Sequence, residues 1–419
     1  MTTKIWHPFT QHGLGEPIPQ VVKAEGATLY TDDGRAIIDA ISSWWVQTHG
    51  HCNPKIVAAI QEQSACLDQM IFAGWTHEPA QQLAKGLSEF LPDSLDHIFF
   101  SDSGSTAVEV ALKMALGFWH NQGHPRHHIL VMDHSYHGDT IGAMSIGARG
   151  VFNKAYAPLL FDVNSIPFPE QGFEQATLDA LSAFCADQDN PPAALIIEPL
   201  ILGAGGMKVY SPDILAEMHR ICAQHDVLFI ADEVMTGWGR TGTVFACEQA
   251  GITPDIMCMA KGLTGGVIPL AVTAASAAIY DAHFSEDRAK MFFHSSSFTA
   301  NPIACAAANA NLQIWRDEPV QQRIDHIIER HEGFARQLHR HPNVSAIRQC
   351  GTILTFEIDD ASGDYMSALG PALLQFFADR DVLLRPLGNT VYIMPPYCIT
   401  DEQLSTIYTV IEEAIDHFA

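Results

Sequence analysis

Five short segments are almost uninterruptedly apolar, and most of them end on a polar group: His97-Ile-Phe-Phe-Ser101, His128-Ile-Leu-Val-Met-Asp133, Ala194-Leu-Ile-Ile-Glu198, Leu228-Phe-Ile-Ala-Asp232 and Ile256-Met-Cys-Met-Ala260, the last followed by Lys261. A strand with one wet face alternates polar and apolar residues, whereas a strand without alternation is buried on both faces. Helical periods separate these segments, including the strongly apolar run Thr106–Trp119. Apolar strands alternating with helices define an α/β chain built on a parallel or mostly parallel sheet, covered on both faces. Such sheets bind ligands beyond the carboxyl ends of their strands. Ser101–Ser105, Glu198, Asp232 and Lys261 all fall at that edge.

The remaining segments read differently. Residues 1–50 hold short β elements at Val21–Ala24, Thr28–Tyr30 and Ala36–Ile41, with Asp32-Asp33-Gly34 as a hairpin turn and Trp44-Trp45 near the end. Helical periods cover Pro54–Leu67 and Glu78–Phe90. After Asn301-Pro302, helices are expected over Ala304–Trp315 and Val320–His339, then strands at Thr352–Ile358 and Val391–Met394. A final helix opens with a Thr400–Gln403 capping box. This predicts an N-terminal segment (1–50) that contributes to a small domain and the active site, a large domain (51–310) and a smaller α+β domain (311–419).

The formal charge of -25 over 419 residues argues against a nucleic-acid or anionic-membrane partner. The N-terminus, Met1-Thr-Thr-Lys-Ile-Trp-His-Pro, shows no apolar segment of signal-peptide length, and no stretch reaches a membrane span. Nine cysteines without a C-x-x-C pair read as reduced thiols, giving a cytoplasmic expectation. His49-Gly-His51-Cys52 and the group His120, His124, His127 and His128 lack a second ligand group at zinc spacing, so no metal is expected.

Lys261 ends a buried strand and is followed by a glycine-rich turn. A lysine there either snorkels to solvent or needs a partner, a lowered pKa or a covalent bond. The strand-end Asp232 supplies a second group, and together they meet two requirements of pyridoxal phosphate: an amine to attach it and a carboxylate to keep its ring nitrogen protonated. In Asp102-Ser-Gly-Ser-Thr106, between a strand and a helix, Gly104 and Ser105 suit a phosphate at a helix N-terminus; an ordinary serine cap is the plainer alternative. Without a Walker lysine or a dinucleotide glycine fingerprint, a phosphate monoester fits better. Tyr136, after the strand ending at Asp133, can stack on a flat ring. Arg240 and Arg385 can each grip a carboxylate or make an ion pair at a domain interface.

Glu198-Pro199, Asp232-Glu233 and Lys261-Gly262, in this order, resemble the class III pyridoxal-phosphate aminotransferases of fold type I. Further stretches are Trp6-His-Pro-Phe-Thr10, Ser42-Ser-Trp-Trp45, Asp102-Ser-Gly-Ser105, Tyr136-His-Gly-Asp-Thr140, Gly203-Ala-Gly-Gly-Met207, Gly239-Arg-Thr-Gly242, Asn301-Pro-Ile-Ala-Cys-Ala-Ala-Ala-Asn309, Arg385-Pro386 and Met394-Pro-Pro-Tyr397. They resemble the branch that aminates 8-amino-7-oxononanoate to 7,8-diaminononanoate in biotin biosynthesis, with S-adenosylmethionine as donor. The likeness runs from Trp6 to about Tyr397.

The resemblance implies that Lys261 carries the cofactor and moves the proton, that Asp232 pairs with the ring nitrogen, and that Tyr136 stacks on the ring. Gly104 and Ser105 would bind the phosphate, which Ser296 and Ser297 would reach from a neighbouring subunit, implying a homodimer. Arg385 would take the acceptor carboxylate and Trp44 would line the same channel. Asp139 and Arg240 would belong to the pocket that receives donor and acceptor in turn. Three positions depart from the pattern. Phe9 stands where the best-known adenosylmethionine users have tyrosine, and phenylalanine also occurs in members that use lysine. Leu202 replaces a usual glutamine, and Ser297 a usual threonine. The alternatives are therefore a lysine-dependent version of the same reaction, another class III transaminase of ω-amino acids or amines, or an aminomutase that needs no external donor.

Overall fold

The computed structural model describes residues 4–358 and 369–418. Its largest sheet has seven strands in the order His97–Ser101, Ala271–Ala275, Ile256–Met259, Leu228–Asp232, Pro192–Ile197, His128–Met132 and Asn164–Ile166. Ala271–Ala275 runs antiparallel to both neighbours, and the others share one direction. The five apolar segments are all in this sheet, and their lack of alternation has a direct cause. Leu130, Leu195, Ile197, Phe229, Met257 and Met259 enter one hydrophobic core, while Ile129, Ala194, Ile196, Ile230, Ile256 and Cys258 enter a second core on the opposite face. Burying each large aliphatic or aromatic side chain contributes about 1.5–3 kcal/mol. The second core includes the apolar side of the helix Gly104–Asn121. The first is closed by helices such as Glu78–Leu87, Pro212–Gln224 and Pro302–Asp317. The chain is thus α/β, with a mostly parallel sheet covered on both faces.

Two strands of this sheet were not expected from the sequence. Ala271-Val-Thr-Ala-Ala275 is alanine-rich and has weak strand propensity; it forms because it fills the gap between His97–Ser101 and Ile256–Met259. Asn164–Ile166 is a three-residue edge strand, too short to carry a period.

Outside the main sheet, Val344–Cys350, Ile353–Ile358 and Thr390–Ile393 form an antiparallel sheet. The N-terminal strands Val21–Glu25, Thr28–Thr31 and Ala36–Asp39 are antiparallel, with the turn at Asp32-Asp33-Gly34 joining the last two. Val382–Leu383 adds to them, parallel to Ala36–Asp39, which ties the N-terminal segment to the C-terminal part of the chain. The last helix, Asp401–Phe418, carries its capping box: Gln403 N donates to Thr400 Oγ1 at 3.2 Å and Thr400 N to Gln403 Oε1 at 3.0 Å. Among the described residues, no helix is long and apolar enough to cross a membrane.

Candidate active site

Beyond the carboxyl ends of the parallel strands lies a cavity of about 600 Å³. Phe9, Trp44, Gly104, Ser105, Tyr136, Asp139, Asp232, Lys261 and Arg385 all line it. Residues separated by up to 376 positions in sequence therefore meet in one place.

Lys261 begins a short 3₁₀ turn, Lys261–Thr264, and has a left-handed φ of 47°. The turn is held from behind by the buried Asn311, whose Nδ2 donates to the carbonyls of Gly262 (3.1 Å) and Leu263 (3.0 Å). Burial pushes the Lys261 ammonium down to about 8, against the attraction of Asp232 and Glu198. Its Nζ lies 4.6 Å from the centre of the Trp45 ring. An amine lowered that far is substantially more nucleophilic at neutral pH than an ordinary lysine.

Asp232 ends its strand and is almost fully buried. Its Oδ2 is 2.7 Å from His137 Nδ1, and its Oδ1 accepts from Val234 N at 3.1 Å. His137 Nε2 is a buried ring nitrogen with no partner. His137 was not among the site residues expected from the sequence. Its position directly after an aromatic at a neighbouring strand end was the available signal. Glu198, also almost fully buried, accepts from Tyr136 N (3.0 Å) and Gly203 N (2.9 Å), and desolvation pushes its carboxyl up to about 7. It thereby fixes the loop that presents Tyr136. Burial, reinforced by Asp139, raises the Tyr136 phenol above its usual range, so it remains neutral.

The helix Gly104–Asn121 starts in a capping box: Ser103 Oγ accepts from Thr106 N at 3.2 Å, and Thr106 Oγ1 accepts from Ser103 N at 2.9 Å. The serine cap and the anion site are therefore compatible, because the cap uses Ser103 while the cavity is lined by Gly104 and Ser105 at the helix start. A Cβ on Gly104 would come within 2.6 Å of Val234 Cγ1. Gly138 has φ +129°, and a Cβ there would lie 2.0 Å from Ser105 Oγ. Both positions require glycine for close approach.

At the cavity mouth, Phe9 meets Trp44 edge-on (5.5 Å between ring centres) and Phe152 likewise (6.0 Å). The Arg385 guanidinium lies 5.2 Å from the centre of the Trp44 ring, and its Nη2 donates to Phe9 O at 3.4 Å. Trp44 and Trp45 belong to a left-handed turn: Ser42, Ser43, Trp44 and Trp45 have φ of 53°, 44°, 69° and 73°. Each such residue costs about 1–2 kcal/mol relative to a right-handed conformation.

Three expected site residues lie elsewhere. Arg240 does not line the cavity. It is 1% exposed, with Nη1 donating to Pro395 O at 3.0 Å and Nη2 to Gln47 O at 2.7 Å. Its guanidinium is thus held by main-chain carbonyls. Ser296 and Ser297 are likewise outside the cavity wall. Ser296 Oγ donates to Asp102 Oδ2 at 2.9 Å, and Ser297 O accepts from Gln69 Nε2 at 2.5 Å. His49 packs edge-on against Trp315 and Tyr397, while His51 Nε2 is 2.8 Å from Asp39 Oδ2.

A lowered-pKa lysine, a buried Asp–His pair and a helix N-terminus crowded to exclude side chains are features that a site for a phosphorylated, nitrogen-containing ring would need. The aminotransferase class-III family model matches residues 10–415, and the chain belongs to that family. It is 45% identical to an adenosylmethionine-8-amino-7-oxononanoate aminotransferase of Synechococcus elongatus, covering 98% of each protein. A Helicobacter pylori protein of the same name is 35% identical, over 98% of this chain and 96% of its own. Among solved structures, an adenosylmethionine-8-amino-7-oxononanoate aminotransferase from Methanocaldococcus jannaschii superposes with a TM-score of 0.94 at 31% identity, covering 99% of this chain and 97% of that one. An amine transaminase from an uncultivated Pseudomonas species gives 0.91 at 28% identity, with both chains fully covered.

Proposed function

We propose that this chain transfers an amino group to 8-amino-7-oxononanoate, giving 7,8-diaminononanoate for biotin synthesis, with pyridoxal phosphate as cofactor and S-adenosylmethionine as donor. The observation that carries the acceptor assignment is Arg385, a guanidinium without an ion pair among the described residues, set on Trp44 and Phe9 at the mouth of an otherwise largely apolar cavity. A fork-shaped cation beside aromatic walls suits a carboxylate at the end of an apolar chain.

Residues in the cavity fit the cofactor. Lys261 Nζ would attach it; Asp232, steadied by His137, would hold a proton on its ring nitrogen; Tyr136 would cover one ring face. The amides of Gly104 and Ser105 would take its phosphate, helped by the dipole of the 18-residue helix. When bound, pyridoxal phosphate supplies an electron-sink ring that lets an amino group pass from donor to acceptor in two half-reactions. Lys261, once released, is the base that takes the proton from the donor carbon and later returns one to the acceptor carbon. Trp44, Phe9 and Asp139 would shape the space that donor and acceptor occupy in turn, while Arg240 would act indirectly, through the loop ends it ties together. Ser296 and Ser297 would complete the phosphate site of a neighbouring copy, so the working unit is read as a homodimer, acting in the cytoplasm.

The donor is tested by mixing the cofactor-loaded protein separately with S-adenosylmethionine and with lysine and following its visible absorbance. Bleaching by S-adenosylmethionine alone is expected. Bleaching by lysine alone would transfer the assignment to the lysine-dependent reaction, and bleaching only by simple ω-amines would refute the named substrates.

A further inference from the structure

Non-glycine residues with positive φ occur singly along the described chain except at Ser42–Trp45, where four follow one another. Backbone strain of this kind persists only where its surroundings over-determine it, and it concentrates at functional sites. Here one determinant is Asp39, which is 0% exposed. Its Oδ1 accepts from Ser43 N at 2.9 Å; its Oδ2 accepts from Ser43 Oγ at 2.7 Å and lies 2.8 Å from His51 Nε2. A buried carboxylate is costly unless its lone pairs are used; this one uses them on Ser43 and on a histidine eight residues beyond it. The turn carries two tryptophans with different neighbours. Trp44 meets Phe9 and Arg385 at the cavity mouth, while Trp45 lies beneath Lys261 Nζ and donates from Nε1 to Tyr392 OH at 3.0 Å.

We propose that Asp39, together with His51 and Ser43, is a positioning group that holds this left-handed turn and so sets the aromatic acceptor wall at a fixed distance from the reactive lysine. Asp39 does not line the cavity, and its effect passes through Trp44. The assignment rests on the acceptor reading given above. A loosened turn displaces Trp44 and the Arg385 beside it, so acceptor binding is lost ahead of cofactor binding.

The most direct test compares Ser43→Ala with Ser43→Gly in the cofactor-loaded, full-length protein. Both remove the hydroxyl that Asp39 accepts from, but only glycine relieves the strain of a positive φ. Ser43→Ala is expected to raise the acceptor KM about tenfold with kcat within about threefold, and Ser43→Gly to stay within about threefold in both. Asp39→Asn should raise KM as Ser43→Ala does, keep its visible cofactor absorbance, and be partly rescued by adding Ser43→Gly. Equal KM values for the two Ser43 variants would overturn the proposal, as would a parallel fall of KM performance, kcat and cofactor content in Asp39→Asn without rescue. Near-UV circular dichroism of the cofactor-free proteins provides an arm that needs no substrate: Ser43→Ala should lose tryptophan signal that Ser43→Gly retains, and identical spectra would contradict the proposal. If the wild-type protein fails to turn over 8-amino-7-oxononanoate, the acceptor reading falls, while this spectral comparison still tests the turn.

Discussion

Lys261 sits among opposed influences: burial lowers its pKa, Asp232 and Glu198 raise it, and Arg240 lowers it further. The outcome, about 8, means that its neutral fraction grows as pH rises and saturates just above that value. Cofactor attachment to the empty protein, followed by the growth of visible absorbance, should be at half its maximal rate at about pH 8 and level off roughly one pH unit above that. A rate that keeps climbing towards the pKa of an ordinary lysine would show that the amine is solvated. Lys261→Ala should remove the absorbance and stop turnover altogether. Arg385→Ala should raise the acceptor KM by roughly a hundredfold with little change in cofactor affinity, as expected for loss of a charge-assisted fork to a carboxylate. Unchanged acceptor kinetics would remove that role. At this scale the sequence was informative where a residue lay at a strand end, as Asp232 does, or just beyond one, as Lys261 does. It was silent where meaning came from a partner far along the chain. His137 meets Asp232, 95 residues away, and Arg240 donates to carbonyls 155 and 193 residues away.

The elements that place these residues are short and tightly packed, so they tolerate little added volume. Gly138→Ala combines an unfavourable φ with overlap on Ser105 Oγ. It should weaken cofactor binding at least tenfold, measured by titrating absorbance, while leaving most of the fold's thermal stability in place. Wild-type affinity in that variant would mean the Ser105–Gly138 contact is not part of the phosphate site. The five apolar strands and the capped last helix were legible because burial on two faces and a reciprocal cap each leave a sequence signature. The strand Ala271–Ala275 and the left-handed turn at Ser42–Trp45 left none. The first is imposed by its neighbours, and the second by the hydrogen bonds that Asp39 accepts from Ser43 N and Oγ and by the one that Ser42 Oγ donates to Met394 O.

For the whole molecule, the cavity joins the N-terminal segment (Phe9, Trp44), the main sheet (Asp232, Lys261) and the C-terminal region (Arg385). Its wall is largely apolar, with Asp139, Asp232 and Lys261 set into it and Arg385 at the mouth. The main-sheet part of this cavity was legible because Ser101–Ser105, Glu198, Asp232 and Lys261 were all expected at one strand edge; Phe9, Trp44 and Arg385 were tied to it only by the family resemblance, and the aromatic contact with Phe152 left no sequence signal. The roles expected of Ser296 and Ser297 require a second copy, so sedimentation at micromolar concentration should give a dimer, and dilution to monomer should release cofactor. A monomer that retains its full cofactor complement would contradict the shared site. The most direct test of the central reading is the acceptor half-reaction. Protein first charged with an amino group and freed of donor would be mixed with 8-amino-7-oxononanoate while its visible absorbance is followed. Recovery of the absorbance with stoichiometric formation of 7,8-diaminononanoate is expected. No recovery with this ketone, alongside rapid recovery with simple keto acids or ketones, would contradict it.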